Sequence, residues 1–139
     1  MRVLFDTNVI LDVLLARPPH VGPATALLDQ VAAKGIDGLL GATTVTTIHY
    51  LATKAVGATR AQRHVRTLLG LFEVAPVTRP VLTDALELGY PDYEDAVLHE
   101  AARHAGAHAI VTRDPKGFPK ARLTVYAPEE LLRFIRAIP

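Results

Sequence analysis

Cysteine is absent from the 139 residues, which excludes disulfides, thiolate metal sites and a cysteine nucleophile and is compatible with a reducing compartment. Charge of one sign is also missing: 15 Lys and Arg against 14 Asp and Glu give a formal net charge of +1. The field of the whole molecule is then too weak to draw in nucleic acid without a local patch. No apolar run reaches the roughly 18 residues of a membrane span, and Asp6 and Asp12 interrupt the N-terminal apolar stretch before a signal-peptide core can form. Repeats, low-complexity tracts and linkers are lacking. These absences imply one soluble, cytoplasmic domain over residues 1–139 with no membrane partner. Half of the positions are apolar, and a chain of this length can bury most of its surface.

What is present alternates short β-like runs with helical patterns. RVLFD, residues 2–6, reads as a strand, and 8–16 as a helix stopped by Arg17-Pro18-Pro19, because proline cannot continue it. A helix over 23–34 has proline near its start and Gly35 past its end, and DGLLGA, 37–42, is a second strand. Residues 44–56 are ambiguous, since the threonines favour strand while Ile48, Leu51, Ala52 and Ala55 recur at helical spacing; helix is the expectation. After Gly57 a further helix buries Val65, Leu68 and Leu69 and turns Arg60, Arg63 and Arg66 elsewhere. Then come a strand over 72–77, a short helix closed by Gly89, and a helix over 91–106 with an acid-rich first turn. A strand AHAIVTRD, a loop PKGFPKAR, a strand LTVYA and a helix opened by Pro128 complete the chain. Strands separated by helices imply an α/β/α sandwich around a mainly parallel sheet of four to five strands.

The acids fall at particular places in this order. Ligands of an open parallel sheet collect outside the carboxyl ends of its strands, and Asp6 and Asp114 each end a strand. Asp92 and Asp95 open the 91–106 helix three residues apart, with Asp95 at the rim of its apolar face. Clustered carboxylates repel one another and raise one another's pKa unless a cation neutralises them. Oxygen donors with no cysteine and no paired histidine spacing point to Mg²⁺ or Mn²⁺, and a carboxylate-held ion suits phosphoryl substrates. Each acid also has a plainer reading: Asp6, Asp92 and Asp95 as helix caps or partners of a helix dipole, and Asp114 before Pro115 as a turn opener. The coincidence of the three places favours the metal.

FDTNVILD at the start and DYEDAVLHEAARHAGAHAIVTRD near the end together resemble the PIN-domain family of metal-dependent ribonucleases, and in particular its small VapC-type toxins. The resemblance covers nearly the whole chain. It implies that Asp6 and Asp95 bind the metal, that Asp114 joins them directly or through water, and that Asn8 and Thr112 hydrogen-bond and orient those carboxylates. Asp92 matches an additional acid found in some branches. It further implies an RNA substrate cut by a metal-activated water, a toxin paired with an antitoxin protein, and a homodimer. One departure stands out: where most members carry Glu or Asp in the helix after the second strand, this chain has Thr47. His49 lies well round that helix, and Glu94 projects toward the apolar face of its own.

Basic contacts to RNA phosphates are expected from Arg113, Lys116, Lys120 and Arg122 around the loop after Asp114, and from Arg60, Arg63 and Arg66, although an ordinary solvated helix face also accounts for the last three. His99 is expected at the surface, on the polar side of its helix. Tyr90 and Tyr93 could stack a base or simply pack. Thr47 motivates a second function class, a PIN-like RNA-binding or protein-interaction module without useful catalysis. A third, a phosphatase with a strand-end aspartate nucleophile, would want a second Asp where Asn8 stands.

Overall fold

Alternating side chains along the strands divide the core in two, and the helices follow that division. In the computed structural model, which describes residues 1–139, the strands are β1 (Arg2–Phe5), β2 (Asp37–Gly41), β3 (Glu73–Ala75), β4 (Ala109–Val111) and β5 (Thr124–Tyr126). They form one sheet in the order β3-β2-β1-β4-β5, and every adjacent pair is parallel. Val3, Phe5, Leu40, Ala109 and Val111 face one layer; Leu4, Leu39 and Ile110 face the other. This is the period of two expected of a pleated strand.

The first layer is built from α1 (Thr7–Leu14), α2 (Val21–Ala32), α3 (Ala42–Val56), α4 (Ala58–Leu71) and α7 (Pro128–Ala137), which bury Ile10, Leu27, Ile48, Leu68 and Leu131 against the sheet. The second comprises α5 (Arg79–Glu87) and α6 (Tyr93–His104), packed through Val81, Ala85, Ala96, Val97, Leu98 and Ala101. The ambiguous threonine-rich stretch is helical. Thr46, Thr47 and Thr53 satisfy their hydroxyls by donating to carbonyls three or four residues back, so their β propensity yields to the apolar stripe they flank. The helix starts at Ala42, earlier than expected, directly after Gly41. A methyl on Gly41 would lie 2.6 Å from Leu98 Cδ2, so glycine is what allows β2 to pass α6.

Two expectations are corrected here. Leu69 is 48% exposed on α4, where Leu68 and Ala61 form the buried stripe. His99 is fully buried: the sheet covers one side of α6, while α5 and the loop after β4 cover others, and residues 96–102 are all buried. A projection that assumes one covered face therefore misplaces it.

The order of the strands fixes where a ligand can sit. From β1 the chain moves outward through β2 to β3, then returns to the other side of β1 for β4 and β5. The reversal opens a crevice beyond the carboxyl ends of β1 and β4, where connections leave in opposite directions. Phe5 pairs with Val111 at that edge, so Asp6 and the Thr112–Asp114 segment emerge side by side.

Candidate metal centre

Asp6 continues β1 by donating its N–H to Val111 O at 2.9 Å and caps α1, its Oδ1 accepting from Thr7 N at 2.7 Å. Its Oδ2 accepts from Thr112 Oγ1 at 2.7 Å, and Thr112 Oγ1 in turn accepts from Asp114 N at 3.0 Å. One buried hydroxyl therefore ties the end of β1 to the turn after β4. Burial pushes the Asp6 carboxyl above its ordinary value; the hydrogen bonds from Thr112 and Thr7 pull it back, and the charges of Asp114 and Asp92 push it up again.

Asp92 is the N-cap of α6, its Oδ1 accepting from Glu94 N at 2.8 Å and Asp95 N at 3.3 Å. That cap aims Asp95 from the first turn into a cavity of about 290 Å³ which Asp6, Asp114 and Glu94 also line. Gly117 closes the approach: a methyl on it would lie 2.9 Å from Asp95 Oδ2 and 3.5 Å from Asp114 Oδ2, so the two carboxylates converge over a residue without a side chain. Asp95 is pushed up to about 7, first by burial and then by the charges of Asp6, Asp92, Asp114 and Glu94. The structure thus brings Asp6, Asp95 and Asp114 into one cavity, with Asp92 behind them as a cap and a source of negative field.

Other candidates fall elsewhere. Asn8 lines the cavity, but its Oδ1 accepts from Arg113 N at 3.2 Å rather than meeting a carboxylate, so it braces the Arg113 backbone. Thr47 is absent from the cavity wall and its hydroxyl donates to Thr43 O at 3.1 Å. Glu94, expected on the apolar face, lies open on the cavity instead, because the buried part of α6 begins only at Ala96. Arg113 lines the cavity, and Lys116 and Lys120 are exposed on the neighbouring loop. Arg122 stands apart beside Asp84, Glu87, Glu100 and Arg103, and Arg60, Arg63 and Arg66 are exposed on α4. Tyr93 donates its hydroxyl to Leu82 O at 2.8 Å, while Tyr90 packs edge-on against His99 and Phe118.

Sequence reasoning named Arg113 but passed over Arg17 and the anchor that both share, Asp12. Arg17 lines the cavity and pairs with Asp12, as does Arg113; the five-residue spacing of Asp12 and Arg17 across the end of α1 was the available signal. The acids themselves have no such relief. The carboxylates of Asp95, Asp114 and Glu94 accept no hydrogen bond and form no ion pair in the protein, their residues bonding only through the backbone, and the cavity's arginines are committed to Asp12. An all-oxygen, uncompensated donor set fits a hard divalent cation of the Mg²⁺ or Mn²⁺ kind. A different cluster, Asp84, Glu100 and His104, has ligand atoms within 4.8 Å of one another. There Arg103 already bonds both carboxylates, at 2.9 Å and 3.2 Å, and takes the place a cation would occupy.

Comparison with known proteins agrees with this architecture. The chain is similar in structure to a toxin-antitoxin complex from Klebsiella pneumoniae, with TM-score 0.71, 22% identity, and 91% of this chain and 97% of that one covered. It is similar to FitAcB from Neisseria gonorrhoeae, at TM-score 0.70, 23% identity and coverage of 91% and 98%. Mycobacterium tuberculosis VapC20, a Sarcin-Ricin loop cleaving toxin, aligns with TM-score 0.63, 17% identity and coverage of 78% and 86%. No curated protein matches the sequence significantly. The family model for the PIN domain matches residues 2–116, a span containing every acid of the cavity, and the chain belongs to the PIN domain family.

Proposed function

We propose that the protein is a Mg²⁺- or Mn²⁺-dependent endoribonuclease, acting in the cytoplasm as the toxin of a toxin and antitoxin pair, with Asp6, Asp95 and Asp114 as the metal ligands. The observation that carries the reading is the meeting of these carboxylates in one cavity with no cation of the protein within ion-pair distance of Asp95 or Asp114. A divalent ion held there supplies charge neutralisation at a phosphodiester and an acidified water. Asp6 is held by Thr7 and Thr112, so one ligand is fixed before substrate arrives. Asp95 binds a proton near neutral pH when no metal is present, and metal and proton compete for it. The antitoxin partner rests on the fold shared with toxin-antitoxin complexes, and the homodimer on the resemblance in the sequence alone.

Thr47 favours a second reading, in which the domain binds RNA or a protein partner without cleaving. Glu94 weighs against it, since it brings a further carboxylate to the cavity where the helix after β2 brings none. The test is cleavage of RNA with Mg²⁺ or Mn²⁺. Parent protein should cut, and Asp6→Asn and Asp95→Asn should abolish cutting while circular dichroism stays unchanged. Glu94→Gln should reduce cutting further than Thr47→Val does. RNA binding without cleavage under either metal would establish the second reading.

A further inference from the structure

We infer that Arg17 and Arg113, fixed on the buried carboxylate of Asp12, form a subsite for a substrate phosphate beside the one held at the acids. This rests on the ribonuclease reading above and adds to it a cationic wall of the same cavity.

Asp12 is 1% exposed, on the inner side of α1. Arg17 closes on it twice: its N–H donates to Asp12 O at 3.0 Å and its Nε donates to Asp12 Oδ1 at 2.9 Å. Arg113, arriving from the end of β4, brings its Nε within 2.6 Å of Asp12 Oδ2. Asp12 Oδ2 has no aligned hydrogen-bond donor, so the contact is an ion pair and the Arg113 N–H groups are not spent on it. A buried carboxylate needs one cation to offset its desolvation. Two are present, and the trio carries a net positive charge.

The surplus faces the cavity. Both arginines line it, with side chains 39% and 31% exposed. Apart from its bond to Asp12, Arg17 has only a long 3.4 Å contact from Nη2 to Asn8 O, and neither Nη group of Arg113 has an acceptor in the protein. Had these residues served only to neutralise the acids, they would pair with Asp6, Asp95, Asp114 or Glu94. They pair instead with Asp12, which holds them in the cavity lining with planar N–H edges unspent. Such edges suit phosphate oxygens, which accept paired N–H bonds from guanidinium. A nucleic-acid strand presents charge at every nucleotide, so a neighbouring phosphate would otherwise meet the acids unrelieved. Asp12 is the positioning residue of this subsite.

The test is fluorescence anisotropy of a short single-stranded RNA over a salt series, in EDTA and in an Asp95→Asn background, where nothing is cleaved and no metal contributes. Arg17→Gln and Arg113→Gln should each weaken binding by about tenfold and each lower the slope of log affinity against log salt by about 0.7. Asp12→Asn should weaken binding with the slope unchanged, because both cations remain and only their placement is lost. A merely structural role for Asp12 would not produce that split. Parental affinity and slope in both arginine variants, with unchanged circular dichroism, would overturn the subsite. Since the measurement needs neither metal nor turnover, a parent that binds through the arginines yet never cleaves would refute the ribonuclease reading and leave this inference standing.

Discussion

Thr112 and Gly117 show how much of the centre depends on small residues. Thr112 is fully buried and its hydroxyl both donates to Asp6 and accepts from the Asp114 amide. Thr112→Val keeps the shape and removes both bonds, leaving a buried carboxylate oxygen and an amide without partners. The expected cost to the metal-free protein is about 1 to 3 kcal/mol by urea denaturation. A change within experimental error would mean that water replaces the hydroxyl without penalty. Gly117 acts by absence. Its substitution by alanine would crowd Asp95 Oδ2 from 2.9 Å, and because that atom ends a flexible side chain the fold should accommodate it cheaply. The displaced carboxylate is the consequence: Mn²⁺ affinity of Gly117→Ala, read by calorimetry, should fall at least about tenfold with thermal stability nearly unchanged. Equal affinity would remove Asp95 from the ligand set.

Among the elements, α6 joins the site to the rest of the molecule. Its first turn carries the Asp92 cap and Asp95, its middle packs alanines against the sheet, and its last turns hold a buried polar chain. His99 Nδ1 donates to Glu100 Oε2 at 2.9 Å, and its Nε2 accepts from Arg122 N at 3.0 Å, which pins the loop that follows Asp114. Burial opposes ionisation of Glu100, yet hydrogen bonds from Arg103 and His99 outweigh it and hold its pKa below the ordinary value. His99→Ala should therefore raise amide hydrogen exchange at Arg122 and through the 115–122 loop, with a stability loss of about 2 to 4 kcal/mol; unaltered exchange at Arg122 would show the loop to be held by Phe118 alone. The strand-helix order and the helical nature of residues 44–56 were legible in the sequence because apolar period and punctuation are local. The burial of His99 and the opening of Glu94 to the cavity were not, since each depends on which elements cover α6. The adjacency of β1 and β4, on which the meeting of Asp6 and Asp114 depends, is likewise a non-local pairing. The second of the Asp12 pairs needed Arg113, about a hundred residues away in sequence.

At the scale of the whole molecule a formal charge of +1 conceals an uneven distribution, with uncompensated acids and the Asp12 arginines lining one cavity. Gathering those acids has a global signature through proton linkage. Asp95 ionises at 3.8 as an isolated group and near 7 when folded, so across the interval between these values the folded state binds a proton that the unfolded state releases. Stability from this source is complete below about pH 4 and is lost as pH rises through 7. The undiminished shift would correspond to about 4 kcal/mol, and solvent screening of a half-exposed group reduces it to about 1 to 2 kcal/mol. Metal-free protein should consequently melt roughly 3 to 8 °C lower at pH 8 than at pH 5, after subtraction of the Asp95→Asn profile. On the proposed reading a divalent ion would bind only the assembled carboxylates, so a saturating ion should recover that loss at pH 8 and do little at pH 5, where protons hold the site. Differential scanning calorimetry of the two proteins, with and without Mn²⁺ at both pH values, reads all of these effects together. Parallel melting profiles for parent and Asp95→Asn, or stabilisation by Mn²⁺ that is as large at pH 5 as at pH 8, would show that these carboxylates do not share one field.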